Sequence, residues 1–246
     1  MKFGVQLYNF RNELKPDFRG ALKKIAELGF DGVEFACNYG GITPDMLAVY
    51  LKELGIECAG TMFGVNDLLD PGNIAYEYAK QLNSPAITIS AMCDFTKEWE
   101  NIAEKCRKIG INAAGHGLIF SYHNHWAEFE KINGVPAMYR ILDSTDPATV
   151  FVEPDVCWLT RAGINPSDFI EKYADRIRQI HLKDICVPDN PETTVELGQG
   201  IVDLQSVCVA ASKTNCQWLI YEQDYTKDPF RSAKLSLEYL RMNVKP

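Results

Sequence analysis

Residues 149–184 read TVFVEPDVCWLTRAGINPSDFIEKYADRIRQIHLKD. The stretch opens on an apolar run, TVFVE at 149–153, passes a helical pattern near 166–174, and returns to a second apolar run, IRQIHL at 177–182. Strands covered on both faces read as continuous apolar runs, as these do. The unit repeats in both directions. Toward the N-terminus, LIFSYH (118–123) precedes a helix near 134–143, AITIS (86–90) a long helix over 95–113, and IECAGTM (56–62) a helix over 72–82. GVEF (32–35) precedes a helix over 44–54, and KFGVQLY (2–8) precedes one over 17–28. That last helix carries Phe18, Ala21, Leu22, Ile25 and Leu28 on one face and stops at Gly29. Toward the C-terminus, IRQIHL leads through a longer loop, 184–200, to a helix near 203–213, and QWLIYE (217–222) leads to a closing helix near 229–241.

Eight strands and eight helices in strict alternation within 246 residues have the dimensions of a (β/α)8 TIM barrel. A doubly wound open sheet is the runner-up α/β arrangement, but no Gly-rich phosphate loop is present. No linker or low-complexity segment divides the chain, so a single domain over 1–246 is expected.

Composition narrows the function. Lys plus Arg number 25 against 33 Asp plus Glu, a net charge of -8. Duplex nucleic-acid binders draw affinity from a basic surface, so nucleic acid is not an expected partner. No apolar run reaches the ~18 residues of a transmembrane helix, and the N-terminus lacks a signal-peptide pattern. The eight cysteines, Cys37, Cys58, Cys93, Cys106, Cys157, Cys186, Cys208 and Cys216, are scattered singly with no CxxC pair. They read as reduced core thiols of a cytoplasmic protein.

A TIM barrel builds its active site at the C-terminal ends of its strands. The second run ends at Glu34, the fifth at His123-Asn124-His125, the sixth at Glu153 and Asp155 with Trp158 beyond, the seventh at His181, Lys183 and Asp184, and the eighth at Glu222, Gln223 and Asp224. His116 falls in the turn before the fifth run, at the opposite face, and reads as a solvated loop residue. Each piece alone has a bland reading. Glu34 could pin a loop, Asp155 cap a turn, Glu222 form a polar rim and Trp158 pack. The coincidence of four consecutive strands ending in potential ligands favours a divalent cation, and imidazole with carboxylate suits Mn, Co, Zn or Fe better than Ca. Lys183 beside Asp184 should stay charged, so it reads as an electrostatic or substrate-contacting group rather than a Schiff-base amine.

GFDGVEF, YHNHWAEF, VEPDVCWLTRAGINP, IRQIHLKD, ELGQGIVD and IYEQD, in this order, resemble the xylose-isomerase-like barrel superfamily, in particular its sugar phosphate isomerase and epimerase group. That group includes ketose 3-epimerases, inosose isomerases and dehydratases, and the catalytic subunits of C-glycoside-cleaving enzymes. The resemblance covers essentially the whole chain and implies one catalytic divalent metal, Mn first, with Mg, Co, Zn or Fe as alternatives. The ligands it implies are Asp155, His181 and Glu222, with His123 at a position where the family commonly has a glutamate. That departure puts the family's two-glutamate proton relay in doubt. His125, two residues on, is the natural replacement base, with Glu222 and Lys183 completing the catalytic set. Glu34, Glu128 and Trp158 are the implied substrate contacts, Glu128 alternatively orienting His125.

The expected function is a metal-dependent isomerase or epimerase of a sugar, keto-sugar or cyclitol, acting by proton abstraction next to a carbonyl. The alternatives are a lyase or dehydratase on a 3-keto glycoside or inosose, and, in another class, a non-catalytic sugar-binding barrel. A nuclease is disfavoured by the acidic balance. A homo-oligomer or a partner subunit is left open by the sequence.

Overall fold

The computed structural model describes residues 1–244. Eight strands, β1 (Lys2–Gln6), β2 (Gly32–Ala36), β3 (Glu57–Met62), β4 (Ile87–Ile89), β5 (Phe120–His123), β6 (Val150–Glu153), β7 (Gln179–Leu182) and β8 (Trp218–Tyr221), pair in parallel in the order β6-β5-β4-β3-β2-β1-β8-β7. The two ends of this sheet meet through single bridges, Val152 with Ile177 and Asp155 with His181. Pro154 has no N–H for a ladder there, but its carbonyl accepts from the His181 N–H at 2.9 Å. The sheet thus closes into the expected TIM barrel.

Eight helices cover it: α1 (Phe18–Glu27), α2 (Pro44–Leu54), α3 (Ile74–Gln81), α4 (Phe95–Gly115), α5 (Ala137–Asp143), α6 (Pro166–Lys172), α7 (Leu204–Ala211) and α8 (Pro229–Asn243). Their starts are written in the sequence. Asp17, Asn165, Asp203 and Asp228 each accept a backbone N–H of the first turn, and Pro leads α2, α6 and α8. The α1 face buries Phe18, Ala21, Leu22 and Ile25. No helix among the described residues is long and apolar enough to cross a membrane.

Several local elements go beyond the periodicity. Residues 131–136 form a hairpin, Lys131–Ile132 against Val135–Pro136, turning at Asn133 (φ 50°) and Gly134 (φ 82°). An Asn-Gly pair is the usual signature of such a tight turn, so the expected helix from 134 starts only at Ala137. A short helix, Val156–Arg161, follows β6 directly, and the 184–200 loop contains a ribbon pairing Asp184–Ile185 with Thr194–Val195.

The barrel interior is layered by the period-two alternation of strand side chains. At the N-terminal end Ala59, Trp218 and Ile220 form their own small apolar cluster, apart from the main core. Gly32 makes room for it, since a Cβ there would lie 2.8 Å from the Trp218 ring. One step further, the same alternation turns polar. Ile220 is followed by Glu222, Gln179 by His181 and Lys183, and Glu153 by Asp155. Between β2 and β3 the register shifts after Val33, so that Glu34 pairs with Gly60. A side chain at Gly60 would fall 2.2 Å from Glu34 Oε1 and 2.3 Å from Gln179 Nε2, so the glycine leaves the space these buried groups occupy.

Candidate active site and metal centre

At the C-terminal mouth the strand ends surround a cavity of about 460 Å³. His123, His125, Trp158, His181, Lys183 and Glu222 all line it, together with Tyr8, Arg11, Phe63, Met92, Trp126 and Tyr225 from the surrounding loops. His123, Asp155, His181 and Glu222 each offer a donor atom, and these four atoms all lie within 4.8 Å of one another. Asp155 is fully buried at the N-cap of the Val156–Arg161 helix. Its Oδ1 accepts from the N–H groups of Cys157 (2.9 Å) and Trp158 (3.1 Å). Capping and ligation are therefore not rivals, because Oδ2 remains buried without a hydrogen bond, facing Lys183 Nζ at 3.1 Å. Two imidazoles, two carboxylates and a free buried oxygen fit a divalent transition metal.

Beneath this cluster lies a second group. His181 Nδ1 is 2.8 Å from Glu222 Oε2, while its Nε2 is 2.5 Å from Glu34 Oε2 and 2.8 Å from Glu153 Oε1. Glu34, Glu153 and His181 also have donor atoms within 4.8 Å of one another. Their oxygens are already engaged, however. Gln6 and Gln179 donate to the two oxygens of Glu34 (2.9 and 3.1 Å), and Thr88 donates to Glu153 Oε2 at 3.2 Å. This lower group is a hydrogen-bonded support for His181.

Charges follow that layering. Burial pushes the Glu34 carboxyl up to about 8, with the nearby Glu153 charge adding to the rise and His181 opposing it. Burial alone would raise Glu153, but His181 and His123 together hold it well below the usual carboxylate range. Burial would likewise lower His181, yet Glu153 and Glu34 outweigh it and hold the imidazole well above its ordinary value. His123 is lowered by burial and by the His181 charge.

Lys183 is 1% exposed and lies 3.1 Å from Asp155 Oδ2, 3.1 Å from Glu222 Oε2 and 3.0 Å from Asp224 Oδ2, with the Trp158 ring 4.5 Å away. Burial works against its charge, but the carboxylates of Asp155, Asp224 and Glu222 prevail and keep it an ammonium. The same contacts hold Glu222 well below its ordinary value despite burial, first through Lys183 and then His181. An amine held this way is unsuited to Schiff-base chemistry. Asp184 is not the partner that keeps Lys183 charged. Adjacent strand residues face opposite sides, and Asp184 turns away to accept four backbone N–H groups, from Ile185, Gly198, Gly200 and Val202.

His125 stands at the cavity wall with its side chain 23% exposed. Its Nδ1 has no hydrogen-bond partner and lies 3.8 Å from Glu128 Oε1. Glu34 and Glu128, expected at the substrate, are fully buried and do not line the cavity. Glu34 stands below His181, and Glu128 stands behind His125, where it accepts from the Tyr122 hydroxyl at 3.1 Å. Trp158 does line the cavity, and its indole N–H is buried without a partner. His116, at the far face, is exposed and stacks on Tyr76. The sequence reading left Glu153 and Asp224 without roles, and Gln6 and Gln179 unnoticed. Their signal was the alternation itself, which turns Gln179, His181 and Lys183 toward one interior.

The fold and this mouth define a family. The xylose isomerase-like TIM barrel model matches residues 22–242, and the chain belongs to that family. An inosose dehydratase from Clostridium botulinum is 24% identical over 97% of this chain and 93% of its own length. The chain spans about half the length, 54%, of a Clostridium beijerinckii inosose dehydratase that it also matches. Among solved structures, a sugar phosphate isomerase/epimerase from Parabacteroides distasonis superposes with a TM-score of 0.81 at 17% identity, covering 98% of this chain and 93% of that one. The IOLI protein, in a structure with a zinc atom, superposes at 0.78 with 14% identity, covering 99% and 98%.

Proposed function

We propose that this protein is a divalent-metal-dependent enzyme that moves a proton next to the carbonyl of a sugar, keto-sugar or cyclitol, giving isomerisation or epimerisation. The observation that carries this reading is the four-donor cluster of His123, Asp155, His181 and Glu222, three of which line an open cavity with His125 while Asp155 is buried behind them. A cation held there, Mn first, would supply Lewis-acid polarisation of the carbonyl and its neighbouring hydroxyl. His125 takes the proton, because an imidazole that binds a metal has its bare nitrogen occupied and His123 cannot do both. Lys183 offers its ammonium to the substrate oxygen on which charge develops. The Trp158 indole N–H donates to a substrate hydroxyl. Eight free thiols suit a reducing, cytoplasmic setting.

A dehydratase or lyase reading follows from the same first step, since loss of a proton beside a ketone prepares the loss of a neighbouring leaving group. The inosose dehydratase relatives favour it, and a histidine at position 123 removes one carboxylate of the two-glutamate relay that epimerisation would use.

The test is metal content together with exchange of deuterium into a panel of keto-sugars and inososes with Mn added. The proposal expects exchange at carbon, and expects Asp155→Ala and Glu222→Ala each to lose both metal and exchange while remaining folded. Release of water or of an aglycone selects the lyase reading. Full metal occupancy in Asp155→Ala, or no exchange with any ketone, overturns the proposal.

A further inference from the structure

We infer that Glu153 is a positioning residue for both histidines of the metal centre, one carboxylate oxygen set against a ring nitrogen of each so that the opposite ring nitrogen of each faces the cation. This rests on the metal-centre reading above. Glu153 Oε1 is hydrogen-bonded to His123 Nδ1 at 3.2 Å and lies 2.8 Å from His181 Nε2, a nitrogen it shares with Glu34 Oε2 at 2.5 Å. A neutral imidazole has one N–H and one bare nitrogen, and only the bare one can bind a metal. The partner of the N–H therefore decides which nitrogen is presented. The contact at Nδ1 leaves His123 with a bare Nε2. The contacts at Nε2 would keep the N–H of His181 there once a cation takes the place of the proton that Nδ1 shares with Glu222 Oε2.

The strand order explains how one carboxylate can do this. His123 ends β5 and His181 lies on β7, and β6, which carries Glu153, stands between them; Glu153 is itself the register partner of His123. Its other oxygen is fixed by Thr88 Oγ1 at 3.2 Å. Glu153 is fully buried and does not line the cavity, so it touches the ligands and not the substrate. Glu34 lies on the His181 side alone, which makes it the natural control.

The experiment uses the full chain with histidine ring nitrogens labelled. In the wild type, two-bond proton–nitrogen spectra should show His123 as the Nδ1–H tautomer and His181 protonated at Nε2, with Mn-silent Zn bound at the opposite nitrogens. Glu153→Gln keeps the shape but offers an NH2 where one of the two N–H groups needs an acceptor. Its Mn dissociation constant, measured by calorimetry, should rise by about 10–100-fold, the usual cost of losing such a ligand support. The ring signals of both histidines should change. Glu34→Gln should disturb His181 only. Mn affinity within twofold of wild type in Glu153→Gln, or the Nε2–H tautomer at His123 in the wild type, overturns the inference while leaving the metal centre standing. The wild-type tautomer measurement decides the matter even where Glu153→Gln fails to fold. A wild type that takes up no Mn or Zn overturns the metal-centre reading, and this inference with it.

Discussion

Asp184→Asn is the substitution whose cost can be worked most directly from the structure. The Asp184 carboxylate is fully buried, and all four of its strong acceptor directions are used. Oδ1 accepts from Ile185 N (2.9 Å) and Val202 N (3.1 Å), and Oδ2 from Gly198 N and Gly200 N, both at 2.9 Å. These bonds tie both ends of the 184–202 segment to β7. The two glycines of the LGQG string are required by close approach, since a side chain at Gly200 would lie 2.2 Å from Asp184 Oδ1 and one at Gly198 2.2 Å from the Tyr239 ring. Asparagine presents an NH2 where one oxygen stood, so two N–H groups face a donor instead of an acceptor. Hydrogen bonds to a charged acceptor contribute about 1.5–3 kcal/mol each, which sets an upper range of about 3–6 kcal/mol. Gly198 is at the surface and can turn to water, so the lower end applies, about 3 kcal/mol. For a chain of this size that is a fall in Tm of roughly 6–12 °C. The assay is urea denaturation at fixed metal concentration, with hydrogen exchange read at the Ile185, Gly200 and Val202 amides. Because the segment carries Thr194, whose carbonyl accepts from Gln223 Nε2 and whose hydroxyl accepts from Tyr225 N, KM should rise while metal content is kept. A loss below 1 kcal/mol with unchanged exchange at those amides would refute the reasoning.

His125→Ala should lose on the order of 10²–10⁴ in turnover, the usual contribution of a general base, and keep its Mn, as checked by steady-state kinetics beside metal analysis. Near-normal turnover would move the base to Glu222 or Lys183, and loss of the metal would make His125 the ligand in place of His123. Thiol labelling at neutral pH should reach Cys37 and Cys186, which are exposed, and leave Cys58, Cys106, Cys157 and Cys216 until the chain is unfolded. Burial pushes the Cys58 and Cys106 thiols up to about 12, so fast native labelling of either would contradict the packing of its surroundings.

The barrel was legible because its strands are short, apolar and separated by well-capped helices, so position along the chain alone located the mouth. His123, Asp155, His181 and Glu222 could be placed there from strand ends without any coordinate. Height along the barrel axis was not legible in the same way. Glu153 ends β6, and Asp155 lies two residues on, past Pro154, at the N-cap of the next helix, so the alternation gives both one inward face while only Asp155 belongs to the four-donor cluster. The register shift after Val33 lowers Glu34 similarly, and no local signal marks it. Asp184 was misjudged for a simpler reason. Neighbours in sequence on a strand point apart, so the residue beside Lys183 was the one acid of that region that could not pair with it.

Lys183 sharpens what the centre must do electrostatically. Its ammonium lies 3.1 Å from Asp155 Oδ2 and from Glu222 Oε2, and these two residues belong to the four-donor cluster. A divalent cation and Lys183 therefore address the same carboxylates. Asp224, 3.0 Å from Nζ and outside that cluster, is the partner that remains for Lys183 once Asp155 and Glu222 serve a metal. A buried ammonium left without a carboxylate would be costly, and one set beside a cation would be repelled, so the third acid would let both charges stand in one site were a cation bound. The histidine at 123 fits the same balance. A glutamate there, as the family commonly has, would add a further negative charge to Asp155, Glu222 and Asp224, whereas a neutral imidazole would offer a donor atom without one. The charge sits instead on Glu153, one layer down, where two imidazoles share it.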